Sequence, residues 1–131
     1  MADSLKNGMS LKNTKDLLET MRVLRDPRQG CAWNRDQNFK SLAPYTLEEA
    51  YEVVDAINEG DYNKLKDELG DLLLQVVFQA QVAEERGLFT FEDVAASIND
   101  KMIRRHTHVF GDDTALTPED VNKKWEDNKA I

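Results

Sequence analysis

Two acidic pairs, Glu49/Glu52 and Glu68/Asp71, place the tightest constraint on how this chain can fold. At about 100° per residue, positions three apart share one face of a helix. Both pairs lie in runs whose apolar residues recur at helical period, so both segments are predicted helices. Packed side by side, two such helices bring four carboxylates into one small volume. Like charges on one helix face cost roughly 0.2–0.5 kcal/mol per pair even when exposed, and more when withdrawn from water without a cation. A divalent metal is the simplest physical counterpart. All-oxygen donors without nearby His or Cys suit Mg²⁺, with Mn²⁺ as a substitute, better than zinc.

With 131 residues, 40% hydrophobic and 32% charged, the chain has the composition of a globular protein. The expected organisation is a flexible arm over 1–13 and a single helical domain over 14–131. A formal net charge of −8 argues against a nucleic-acid partner, which needs a basic surface. No apolar run approaches the ~20 residues of a membrane span, and no signal-peptide pattern opens the sequence, so no membrane partner is expected. Cys31 is the single cysteine and has no internal partner, which fits a reducing, cytoplasmic setting.

Apolar residues at Leu17, Leu18, Met21 and Leu24 predict a first helix over 14–25, ended by Asp26-Pro27. The following stretch RDPRQGCAWNRDQNF reads as loop. Thr46 with Glu49 has the form of a capping box, so the second helix is expected to open there, burying Leu47, Tyr51, Val54 and Ile57, and to close at Gly60. A third helix is predicted from about Asp61 to Arg86. With Leu65 at 0°, its main stripe Leu65, Leu69, Leu72, Val76 and Ala83 faces the expected core. Glu68, Asp71, Gln75 and Gln79 form a polar band, and Leu74 and Phe78 lie near 180–220°, opposite the stripe. A helix apolar on two sides needs two partners, one of which a second subunit can supply. The expected partner is therefore another copy of the chain, as a homodimer or a dimer of dimers joined through Leu74 and Phe78.

Thr90 is the expected cap of a fourth helix, with Phe91, Val94, Ala95, Ile98 and Met102 inward, and Gly87 ends the third. Lys101 and Arg105 share that inward face, where an unpaired charge is expensive, whereas Arg104 points away. They are candidates either for salt bridges to the carboxylates or for holding phosphate oxygens. Thr117-Pro118-Glu119-Asp120 opens a short final helix carrying Val121, Trp125 and Lys129. Trp125 and Lys129 share a face, and a Trp there can anchor packing or stack on a base. Trp33 and Phe39 flank a polar loop and can do either. His106 and His108 are too few for a zinc site, and no Ser/His/Asp set or glycine-rich phosphate loop is present. No strand is convincing. The fold class is all-α, a four-helix-type bundle with a short C-terminal helix.

The segments LRDPRQGCAW, LAPYTLEEAYEVVDAI, DELGDLLLQVVFQAQ, KMIRRHTHVFGD and WEDNK resemble the MazG-like nucleoside triphosphate pyrophosphohydrolases over about residues 17–129. EExxE followed by ExxD is that family's signature. The resemblance implies an oligomeric all-α bundle that binds Mg²⁺ and splits a nucleoside triphosphate into monophosphate and pyrophosphate. Position by position it assigns Glu49, Glu52, Glu68 and Asp71 to the metal. It assigns Glu48 to the neighbouring motif glutamate, and Lys101, Arg105, Trp125 and Lys129 to the nucleotide. Two positions depart from the family pattern: Cys31-Ala32-Trp33-Asn34 replaces CPWD, and RRHTH replaces RRHPH. Many relatives carry two tandem copies of the domain where this sequence has one.

The expected activity is therefore Mg²⁺-dependent hydrolysis of a (d)NTP at the α-phosphorus, with clearing of surplus or damaged nucleotides as its implied role. Glu48 or Glu49 is the candidate for orienting the attacking water, and Trp33 is a further candidate for contact with the substrate. A di-iron bundle would need an ExxH motif on two helices, which is absent. The alternative that stays open is a non-catalytic acidic helical interaction module.

Overall fold

The computed structural model describes residues 13–111 and 117–127, and every regular element among them is a helix. The chain divides into two compact units, Met1–Phe91 and Glu92–Ile131. No helix among the described residues is long and apolar enough to cross a membrane.

In the first unit α1 spans Thr14–Leu24. Asn13 caps it by accepting from the Asp16 amide at 3.0 Å, while the Asp16 carboxylate accepts from the Asn13 amide. A tight turn follows. The Asp26 carboxylate accepts from the amides of Arg28 at 2.8 Å and Gln29 at 2.9 Å, which holds its pKa below the ordinary value. Only glycine fits at position 30, because a Cβ there would lie 2.3 Å from the Leu24 carbonyl oxygen and 2.6 Å from that of Asp26. The turn delivers a short helix, α2 (Ala32–Asp36), where the sequence reads as loop. Five residues are too few to show a period, so the pattern could not reveal it.

The second long helix, α3, runs Phe39–Glu59 and starts seven residues before the predicted Thr46. Asn38 and Ser41 form its capping box, with Ser41 N donating to Asn38 Oδ1 at 2.9 Å and Asn38 N to Ser41 Oγ at 2.8 Å. Pro44 lies inside the helix and removes one amide from the ladder. The carbonyl it deprives belongs to the exposed Lys40, where water can replace the missing donor. Thr46 is thus an interior residue, and its hydroxyl bonds back to the Leu42 carbonyl at 3.2 Å. Gly60 ends α3 at φ 72°, the left-handed conformation that glycine adopts without strain. Asp61 then caps α4 (Tyr62–Glu85), which folds back on α3 as an antiparallel hairpin.

The core is built from Met21, Leu42, Val77, Phe78 and Val82, with Leu17, Leu18, Phe39, Leu74 and Phe91 packed against it. This reverses the expected orientation of α4. Phe78 and Leu74 face α1 and the start of α3, whereas Leu69, Leu73 and Val76 are exposed and Leu65 and Leu72 half-buried. Of the predicted main stripe only Ala83 is fully enclosed. A helical wheel shows that α4 has two apolar arcs. It does not show which arc the rest of the chain covers. The α3 stripe Leu47, Tyr51, Val54 and Ile57 is likewise exposed in the single chain, because the face of α3 turned to α4 carries Leu42, Glu49 and Ala56 instead.

The second unit holds most of α5 (Phe91–Arg105), α6 (Thr107–Phe110) and α7 (Pro118–Asp127). Glu92 and Asp93 at the start of α5 and Arg104 and Arg105 at its end suit the helix dipole. Ala95, Ile98 and Met102, predicted inward, are exposed. Thr117 and Asp120 form the capping box of α7, with Asp120 N donating to Thr117 Oγ1 at 3.2 Å.

Candidate metal centre

The α3–α4 hairpin stacks its facing residues in layers. Nearest the Gly60 turn, Glu52 stands by Glu68; next come Glu49 and Asp71, then Thr46 with Gln75 and Gln79, and finally Leu42 with the apolar core. Carboxylate oxygens of Glu49, Glu68 and Asp71 lie within 4.8 Å of one another. Glu49 and Glu68 are half-buried and Asp71 is exposed, so the cluster opens to solvent on one side. None of the three takes part in an ion pair among the described residues; Lys64, one helical turn before Glu68, acts on it through charge but bonds Glu59 at 3.0 Å.

Electrostatics follow from this crowding. Burial, and then the charges of Asp71 and Glu68, raise the Glu49 carboxyl above the ordinary value. Burial, and then the charges of Glu52 and Asp71, do the same for Glu68. Glu52 therefore belongs to the electrostatic cluster, although its oxygens stand outside the closest set of three. Glu48, exposed on the flank of α3, acts on Glu49 through its charge alone. Three converging carboxylates on two helices, none of them in an ion pair among the described residues, are a donor set that fits a hard divalent ion.

The linkage has a definite sign. A carboxyl whose pKa is raised on folding binds protons more tightly in the native state, so its stabilising contribution is present at low pH and lost as pH rises through the folded value. Asp26 and Glu85, whose pKa values are lowered, act in the opposite sense. In metal-free protein, Glu49→Gln is therefore expected to gain thermal stability over wild type, with the gap widening as pH rises above the ordinary carboxylate range. Thermal unfolding in EDTA from acid to neutral pH measures it. A constant gap would show that the Glu49 proton is not linked to folding.

The other predicted residues are placed as follows. Trp33, on α2, is half exposed and meets Tyr45 and Phe78 edge-on, at centroid distances of 6.1 and 6.3 Å. Its helix is held by Arg25, whose guanidinium bonds Glu85 at 2.7 and 2.9 Å, donates to the carbonyls of Asn34 and Gln37, and lies 5.6 Å from the Phe78 ring centre. In the second unit Arg105 is buried, Lys101 half-buried and Arg104 exposed. Trp125 lies on α7, but its side chain is outside the described residues, and so is Lys129 altogether. Two neighbours of the site are not evident from the sequence pattern. Thr46 reads as a cap, and Tyr45 lies before the expected helix start; the Asn38-x-x-Ser41 pattern is the signal that places both inside α3.

Residues 37–110 match the model of the MazG nucleotide pyrophosphohydrolase domain, a span that contains every carboxylate of the cluster. The chain belongs to the MazG family. Among its relatives, the nucleoside triphosphate pyrophosphohydrolase of Escherichia coli (strain K12) is 54% identical over 113 residues, covering 86% of this chain and 43% of that protein. The MazG nucleoside triphosphate pyrophosphohydrolase/pyrophosphatase of Thermotoga maritima is 53% identical over 116 residues, covering 88% and 44%. This MazG chain thus spans less than half the length of the curated relatives it matches. The crystal structure of a MazG-related protein from Thermotoga maritima superposes with a TM-score of 0.70 at 25% identity, over 90% of this chain and all of that one.

Proposed function

We propose that this MazG domain is a Mg²⁺-dependent nucleoside triphosphate pyrophosphohydrolase that converts a (d)NTP to (d)NMP and pyrophosphate, with Mn²⁺ able to replace Mg²⁺. The observation that carries the reading is the convergence of Glu49, Glu68 and Asp71 within 4.8 Å, with no ion pair to any of them among the described residues. Glu49 and Asp71 from facing helices, with Glu68 and Glu52 one layer nearer the turn, would hold the ion. Bound there, it would supply positive charge to the triphosphate oxygens. Glu48 or Glu49 orients the attacking water and accepts its proton. The water oxygen bonds to the α-phosphorus, the bond to the α,β-bridging oxygen breaks, and pyrophosphate leaves with that oxygen. Lys101 and Arg105 are the cations proposed for the phosphate oxygens, and Trp125, Lys129 and Trp33 for the nucleoside. Removal of surplus or damaged nucleotides in a reducing cytoplasm is the role such chemistry fits.

The proposal includes a second copy of the chain. Leu47, Tyr51, Val54 and Ile57 form an apolar stripe on the face of α3 turned away from α4, and each is half exposed or more. Area of this kind on consecutive helical turns is what a homodimer covers, with further pairing giving a tetramer.

Incubation with Mg²⁺ and a (d)NTP panel in ¹⁸O-water is expected to give pyrophosphate and labelled (d)NMP in equal amounts. Label in pyrophosphate, or products of diphosphate and phosphate, would overturn attack at the α-phosphorus. Absence of turnover with every nucleotide would favour a non-catalytic acidic module.

A further inference from the structure

One layer beyond the carboxylates, the α3–α4 seam carries polar groups that the metal centre does not use. Thr46 Oγ1 donates to the Leu42 carbonyl at 3.2 Å, accepts from Gln79 Nε2 at 2.7 Å, and lies 3.3 Å from the Gln75 carboxamide. A threonine hydroxyl has one proton to give. With that proton on Leu42, the contact with Gln75 is best made by the Gln75 nitrogen, since amide oxygen and nitrogen are assigned from their partners. In either orientation one end of the Gln75 carboxamide has no partner among the described residues.

Gln75 is 7% exposed, so this end is a polar group in a nearly closed site. It is not sealed off, however. The one fully enclosed side-chain atom without a hydrogen bond among the described residues is His108 Nδ1, in the other unit. The unpaired end of Gln75 therefore keeps some accessibility within the 7% that the residue exposes. Unpaired groups of this kind are unfavourable unless something completes them.

Position identifies what that is. Gln75 follows Asp71 by four residues, so it stands one helical turn from the carboxylates, on the side away from the Gly60 turn. A nucleotide whose phosphates meet the carboxylates has its sugar hydroxyls only a few covalent bonds from the α-phosphorus, about one helical turn away. A base lies farther off and presents donors and acceptors in fixed places. A hydroxyl both donates and accepts, and so completes either end of a carboxamide.

We propose that Gln75, held in place by Thr46 and Gln79, binds a sugar hydroxyl of the nucleotide and makes the site sensitive to the state of the sugar. This rests on the nucleotide-hydrolase reading above. The test pairs a protein change with a ligand change. For one base, kcat/KM is measured with the ribo, 2′-deoxy, 3′-deoxy and 2′,3′-dideoxy triphosphates, in wild type and in Gln75→Met, which keeps the length of the side chain and loses both polar ends. Wild type is expected to lose about tenfold when the recognised hydroxyl is removed, and Gln75→Met less than about twofold, which is the coupling of a double-mutant cycle. Gln79→Met, which removes the donor to Thr46, is expected to fall between them.

Wild-type indifference to both hydroxyls would overturn the proposal even if Gln75→Met did not fold. So would full discrimination retained by Gln75→Met. Calorimetric binding of the matching monophosphates with Mg²⁺ needs no turnover and separates the two readings. A protein that binds them with the expected sugar dependence but hydrolyses nothing would refute the hydrolase and leave Gln75 as a sugar contact. A protein that binds no nucleotide would refute both.

Discussion

Asp71→Ala and Glu49→Ala are each expected to lower turnover by at least about 10³-fold while leaving the helical content unchanged. A divalent ion contributes several kcal/mol of charge stabilisation in such reactions, and each 1.36 kcal/mol is tenfold in rate. Asp71 is exposed, so truncating it leaves no cavity, and Glu49 is only half-buried. Removing either charge also relieves the repulsion among oxygens that lie within 4.8 Å of one another. The variants should therefore melt at the same temperature as metal-free wild type or higher, and should lose the rise in Tm that Mg²⁺ gives the wild type. Circular dichroism, thermal scans with and without Mg²⁺, and steady-state rates read all three quantities. Near-wild-type turnover with Mg²⁺ would remove that residue from the metal centre. Unfolding of both variants in the absence of metal would make the cluster a structural element instead.

The second large effect is on stability, and it separates two kinds of apolar residue. Phe78 is 2% exposed, beneath the Arg25 guanidinium and the edge of Trp33. Phe78→Ala is expected to cost about 3–5 kcal/mol, a large share of the ~5–15 kcal/mol that holds a domain folded, and Phe78→Asp should not fold. Val54 is 50% exposed on the outer stripe of α3. Val54→Asp is expected to change the helical content little and to abolish self-association. Urea unfolding and light scattering at micromolar concentration measure the two results. A wild type that scatters as a monomer would refute the dimer, and a Phe78→Ala cost under about 1 kcal/mol would refute its place in the core.

The long helices and the carboxylate spacing were legible because each depends on local order. Leu17, Leu18, Met21 and Leu24 recur at helical period wherever the helix ends up, and Glu68 and Asp71 share a face in any helix that contains both. The polar band through Gln75 and Gln79 was readable for the same reason. Helix ends were less legible, because competing caps are chosen by context. Thr46-x-x-Glu49 and Asn38-x-x-Ser41 both have capping form, and the earlier one prevails because Phe39 and Leu42 join the core once the helix extends back to them. That choice frees Glu49 from capping and points it at Asp71.

The all-α class, the helical faces and the acidic signature follow from residue order alone, since period and side-chain chemistry do not depend on what packs where. Which face meets which partner is set by packing. Leu74 and Phe78 go inward because α1 and the start of α3 cover them, and Leu47, Tyr51, Val54 and Ile57 stay outside because α3 turns Leu42, Glu49 and Ala56 to α4. The same register sets Thr46 opposite Gln75, one layer from the carboxylates. Burial is a property of pairs of surfaces, and a pattern on one helix leaves its partner unspecified.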